Sequence, residues 1–254
     1  MKIAVILAFL VVGQSLAATS LKTASIEITS VNNFQKAPTK GYKLCNTCIQ
    51  LTGQVINEAL NIILNGAVVG GCADLCQAVA TKTGIKDLAA VCDIACDIFG
   101  IKEFIALIEK ADLDPIYFCE LIDGCLIKDD GDAKITSFTV TPTKVTQGST
   151  FEIDMDFQTV NGTGTGEIDL EIITADGVPL GQNSILLPQA AGSYDAKYTV
   201  SAKPDPNCDP SQGPCEMWIA GNYTVKIAVC NGECGSDHPH SKIYDEASAS
   251  FMVV

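Results

Sequence analysis

Positive charge is scarce in this chain. Sixteen lysines and arginines stand against thirty aspartates and glutamates, for a formal net charge of −14 at pH 7. Nucleic acid is excluded as a partner, because binding phosphate requires clustered cations. Attraction to an anionic membrane at neutral pH is disfavoured for the same reason. Histidine is down to two residues, His238 and His240, and no serine or cysteine nucleophile can be paired with either. No glycine-rich phosphate loop or paired-carboxylate motif stands out. The sequence reads as a non-enzyme that needs no cofactor. Long apolar runs are missing too: after the N-terminus none approaches the roughly 18 residues of a membrane-spanning helix.

What is present begins with MKIAVILAFLVVGQSLA. Lys2, the apolar run Ile3 to Val12, and the small residues Ser15 and Ala17 form the pattern of a secretory signal peptide, residues 1–17. Export leads to an oxidising compartment, where the twelve cysteines read as up to six disulfides. Asn161 (NGT) and Asn222 (NYT) are glycosylation acceptors in a secreted chain. The expected localisation is extracellular, with passage through acidic vesicles as one route.

Cysteines and texture divide the remainder. Eight cysteines lie between Cys45 and Cys125 and four between Cys208 and Cys234. The expected organisation is a leader segment or short strand at 18–40, a helical domain at 41–127, a polar linker at 128–134 and a strand-rich domain at 135–254. Within the helical part, Leu51, Val55 and Ile62 repeat at helical spacing, as do Phe104 and Ile108. Asp114-Pro115 carries the signature of a helix start, with Asp as cap and Pro at the first helical position. Cys72 and Cys76 share one helix face, as do Cys92 and Cys96. Two antiparallel helices then bring Cys76 to Cys92 and Cys72 to Cys96 as nested disulfides. A tetrathiolate zinc site is the rival reading, and an oxidising compartment argues against it.

The Cys45-x-x-Cys48 opening and Cys119-x5-Cys125 close pair naturally as Cys45–Cys125 and Cys48–Cys119. With a bridged hairpin between them, this arrangement resembles the saposin-like family over about eighty residues, apart from its doubled central bridge. The resemblance implies an all-α stapled bundle that contacts lipid. Leu51, Val55, Ile62, Phe104 and Ile108 are the candidate contacts, although a small core needs the same residues. Because the acidic residues repel an anionic bilayer until they titrate, membrane activity is expected to rise as pH falls.

From Ile135 onward the period switches to two. STFEIDMDF places Phe151, Ile153, Met155 and Phe157 on one face, and turns fall at Asn161-Gly162, Asp176-Gly177 and Asn231-Gly232. An all-β antiparallel sandwich, immunoglobulin-like in architecture, is expected. Its cysteines read as two local bridges, Cys208–Cys215 and Cys230–Cys234, with a Cys215–Cys230 cross-link as the alternative. His238 and His240, beside Asp237, are weak metal candidates in a loop that is otherwise ordinary.

Taken whole, the helical part, the acidic linker and the segments NGTGTGE, MWIAGNYTV and CNGECGSDHPHS resemble the countins of social amoebae. These are secreted subunits of a large complex through which aggregating cells sense their number and limit group size. The resemblance implies an extracellular regulatory role with other secreted proteins as partners. The alternative is a lipid-binding or pore-forming effector of the saposin type.

Overall fold

The computed structural model describes residues 28–32, 45–50, 52–53, 71–84, 89, 92–93, 96–97, 100–111, 114–209 and 215–254. The expected signal peptide and Leu51, Val55 and Ile62 lie outside these residues, as does the side chain of Ile108.

Among the described residues, nine strands form two sheets around a shared core. In the first sheet the order is β1 (Ile28–Asn32), β7 (Gly192–Ser201), β4 (Thr150–Thr159), β2 (Lys134–Thr141). In the second it is β3 (Lys144–Val145), β9 (Lys242–Val253), β8 (Gly221–Asn231), β5 (Gly166–Ile173), β6 (Pro179–Leu186). Strict alternation drives this arrangement. Along β4, Phe151, Ile153, Met155 and Phe157 are buried while Glu152, Asp156 and Gln158 face out. The second sheet answers with Ile168, Leu170 and Ile172 from β5 and Tyr223, Val225, Ile227 and Val229 from β8. Trp218 closes one end of the core, edge-on to Phe151 and stacked on Tyr223 at centroid distances of 5.9 and 5.6 Å.

The helices are α1 (Cys72–Thr83), α2 (Ile101–Ala111) and α3 (Pro115–Leu121), with further helical residues at 45–50, 52–53, 89, 92–93 and 96–97. Leu75, Cys76 and Val79 of α1 are buried, and Phe104 of α2 meets Phe118 of α3 edge-on at 6.1 Å. Six disulfides close the chain: Cys45–Cys125, Cys48–Cys119, Cys72–Cys96, Cys76–Cys92, Cys208–Cys215 and Cys230–Cys234.

This architecture corrects the expected fold class of an all-α saposin-like bundle followed by an all-β antiparallel, immunoglobulin-like sandwich. The described chain is mostly β, and its helices are short, at 12, 11 and 7 residues. They are short for local reasons. Helix α1 ends where the Gly84 N–H bonds the Ala80 carbonyl, and α3 is started by Asp114-Pro115 and gives way to a turn after Leu121. No free-standing all-α unit is shown among the described residues, since Ile185 and Leu187 from the sheet region pack against the helical cluster. The sandwich also differs in two respects. Strand β1 precedes the helices in sequence yet pairs antiparallel along β7, Ile28 opposite Val200 and Asn32 opposite Ala196. Strand β3 pairs with β9 in parallel.

The nested bridges generate a quantitative expectation. With Cys48–Cys119 closed, Cys45–Cys125 constrains only three further positions on one side (45 to 48) and six on the other (119 to 125). Replacing either pair with serines is expected to cost about 2.5 kcal/mol, and replacing both about 7 kcal/mol, because only the double change frees the long loop. Denaturant unfolding of the two single-bridge variants and the double variant measures the excess. Simple additivity would contradict the nested arrangement.

Candidate functional site

The helices meet the sandwich at an acidic joint. Asp114 caps α3: one carboxylate oxygen accepts the Tyr117 N–H at 2.8 Å and the other accepts the Ser236 hydroxyl at 2.9 Å. Ser236 belongs to the loop after β8, so the cap also joins helix to sandwich. His238 of the same loop stacks on Tyr117 with ring centroids 4.4 Å apart. Asp114, Glu233, Cys234, Gly235, Ser236, Asp237 and His238 line a cavity of about 330 Å³.

The loop is held in shape from below. Cys230–Cys234 closes it, the Asn231 amide donates to the His240 carbonyl at 2.5 Å, and Tyr244 donates its hydroxyl to Asn231 Oδ1 at 2.9 Å. Glu167, on β5, accepts the Cys234 N–H at 2.7 Å and two contacts from the Asn183 amide at 3.3 Å.

A glycine-rich stretch after β4 seats the other side of the joint. The Thr165 N–H donates to the Leu126 carbonyl at 3.1 Å, and Thr165 Oγ1 lies 3.7 Å from Cys45 Sγ, so the bridged neck of the helical region rests on this loop. A Cβ on Gly166 would fall on the Cys230 carbonyl oxygen, and Gly162 adopts φ +81° against the Gln189 carbonyl. NGTGTGE is therefore a close-approach seam, a role the sequence reading did not assign to it.

Several acids collect here without cations of their own. Burial raises Glu233 to about 7, helped by the charges of Asp114 and Glu167. Glu167 is pushed to about 7, mainly by burial, with the Cys234 N–H and the Asn183 amide acting in the opposite sense. Burial, then Asp114 and Asp129, raises Glu120 of α3 to about 8, and its Oε1 has no hydrogen-bond partner.

The structure separates other expected site residues. His240 bonds Asp129 through Nδ1 at 2.7 Å while His238 turns to Tyr117, so the two imidazoles serve different partners. Among the described residues no group of three or more His, Cys, Asp or Glu is arranged to hold a metal. Phe104, the one lipid-contact candidate whose side chain is described, is 3% exposed. Asn161 and Asn222 are exposed, Asn161 on the loop after β4 and Asn222 on β8.

Comparison with known proteins gives a consistent match over most of the chain. The model of the countin C-terminal domain matches residues 133–254, and that of the countin N-terminal domain matches residues 43–123. Countin-1 of Dictyostelium discoideum is 34% identical over 209 residues, covering 82% of this chain and 77% of its own. Countin-3 of the same organism is 33% identical over 210 residues, covering 83% of this chain and 89% of its own. Countin-2 is 25% identical over 236 residues, with 92% and 87% covered.

The cap predicts its own mutant behaviour. Asp114→Ala removes acceptors for both Tyr117 and Ser236 and is expected to cost about 1–2 kcal/mol in denaturant unfolding near pH 5. Asp114→Asn, which keeps a capping oxygen, is expected to lose less than half of that. Equal losses would show that the cap is not what Asp114 contributes.

Proposed function

Because the chain belongs to the countin family, we propose that it is a secreted, non-enzymatic regulatory protein. In this reading it is a countin-like subunit of an extracellular complex through which aggregating cells sense their number and limit group size. The observation that carries the reading is the match of both countin domain models in order along one chain. Export is supported by the apolar leader and by twelve cysteines all joined in disulfides. Asn161 and Asn222 are proposed to carry glycans, both being exposed sequons.

Protein partners suit the surface. Met217, Met252 and Val254 are exposed by 53%, 40% and 55%, and Gln147 ties two of them together by bonding the carbonyls of Met217 and Val254. These exposed apolar side chains are proposed as points of contact for a protein partner.

Purified protein added to aggregating Dictyostelium discoideum cells is expected to reduce the number of cells per group, scored by counting cells in finished aggregates. Unchanged groups across a full concentration series would sink the proposal. A parallel mixture with dye-loaded anionic liposomes tests the membrane-effector alternative. The countin-like reading expects no leakage at about pH 5 or about pH 7, while leakage in acid would move the function to the membrane.

A further inference from the structure

We propose that the groove on the outer face of the second sheet is the seat of the oligosaccharide carried by Asn222. The inference rests on the reading of Asn222 as a glycan acceptor and adds where that glycan lies.

Strand register puts the acceptor in line with the groove. Along β8, Tyr223, Val225 and Ile227 turn into the core, so Asn222, Thr224, Lys226 and Ala228 share the outer face. Residues directly opposite on paired strands lie on the same face. At one end Asn222 stands opposite Met252 of β9, both exposed. The next row is Ile173, Thr224 and Ser250, from β5, β8 and β9. Then come Glu171, Lys226 and Ser248, followed by Asp169, Ala228 and Glu246. Those last two rows form the floor of a cavity of about 640 Å³, bounded also by Cys234 and Gly235 of the loop after β8. At a rise of about 3.3 Å per residue, Lys226 lies roughly 13 Å along the strand from Asn222.

The lining suits a neutral, hydroxyl-rich ligand. Asp169, Glu171 and Glu246 accept hydrogen bonds, the Lys226 ammonium donates them, and Ser248 does both. Lys226 pairs with Glu171 at 3.3 Å. Three carboxylates against one ammonium repel an anionic ligand. Ala228 and Gly235 leave room for a sugar ring, and the exposed Ile243 offers its apolar C–H face a contact. A free cation would meet the same carboxylates. The acceptor two rows away decides for the sugar, because attachment to the same strand gives the oligosaccharide a high local concentration and weak hydroxyl contacts then suffice to seat it.

The direction of the seated glycan matters for the rest of the surface. From Asn222 the groove runs towards the loop after β8, away from Met252 and Val254. A seated glycan leaves Met217, Met252 and Val254 uncovered, whereas an unseated one sweeps over Met252, its cross-strand neighbour. Seating therefore keeps these apolar contact points open to a protein partner. Asn161 is placed differently. It lies on the loop after β4, its amide donates to the Asp130 carbonyl at 3.1 Å, and Thr163 of its sequon is buried.

The test uses the full, oxidised protein produced with its N-glycans in a eukaryotic host. Peptide mass spectrometry first establishes occupancy at Asn222. An endoglycosidase then trims the glycan to its first sugar. Acylation of Lys226 by an amine-reactive reagent is compared before and after, with the exposed Lys102 of α2 as control. Trimming is expected to speed Lys226 acylation about threefold or more and to leave Lys102 unchanged. Ser248→Trp fills the groove from an exposed position and is expected to make the glycan on the folded protein faster to trim. Equal Lys226 rates before and after trimming, on protein occupied at Asn222, would overturn the seat and leave the glycan reading standing. A trimming rate unchanged by Ser248→Trp would likewise overturn the seat. An unoccupied Asn222 would overturn both the seat and the glycan reading at this residue.

Discussion

The neck of the helical region is the constraint on which the rest of the structure depends. The chain enters through β1, leaves the first sheet, and returns to the same sheet at β2, so the whole helical excursion begins and ends on one layer. Cys45–Cys125 and Cys48–Cys119 close the excursion at its base, with Cα–Cα distances of 4.7 and 6.1 Å. A base this narrow fixes where α3 emerges, and with it where Asp114 and Tyr117 meet the sandwich. The seam carries the base through Thr165, whose N–H bonds the Leu126 carbonyl, and beside it Gly164 leaves room for the Lys128 backbone.

Around that base the energetics divide in two. The sandwich core is apolar and interdigitated, with Trp218, Tyr198, Phe151 and Phe157 among its largest buried side chains. Such packing is insensitive to pH. The joint is built from acids, a stacked histidine and a serine, and burial holds Glu233, Glu167 and Glu120 above the ordinary carboxylate range. The result is an apolar platform carrying a polar attachment. It also gives the acidic composition a local role, beyond its exclusion of polyanionic partners.

The sequence disclosed local features and concealed long-range ones. Alternation in FEIDMDF identified the buried face of β4, and the glycines of the Asn161-Gly162, Asp176-Gly177 and Asn231-Gly232 turns all have positive φ. Asp114-Pro115 announced its cap because capping is a property of adjacent residues. The i, i+4 cysteines likewise carried their geometry with them. By contrast, β1 is a five-residue strand whose partner β7 lies far along the chain, and nothing in SIEITSV marks that pairing. Apolar helical periodicity near the cysteines pointed to a separate all-α bundle, and it could not show that Ile185 and Leu187 complete the same cluster. Glu167 reads as a residue at the start of an alternating strand, yet the loop after β8 covers it to 4% exposure. Asp114 and Ser236 meet across 122 residues, a contact that leaves no local trace in sequence.

The most direct test of the neck is disulfide mapping of the purified, oxidised protein by proteolysis without reduction, followed by mass spectrometry. The account predicts peptides joining Cys45 to Cys125 and Cys48 to Cys119, with Cys230 joined to Cys234 beside the joint. Recovery of Cys45 or Cys48 bonded to any cysteine of the hairpin, or of Cys230 bonded to Cys215, would contradict it.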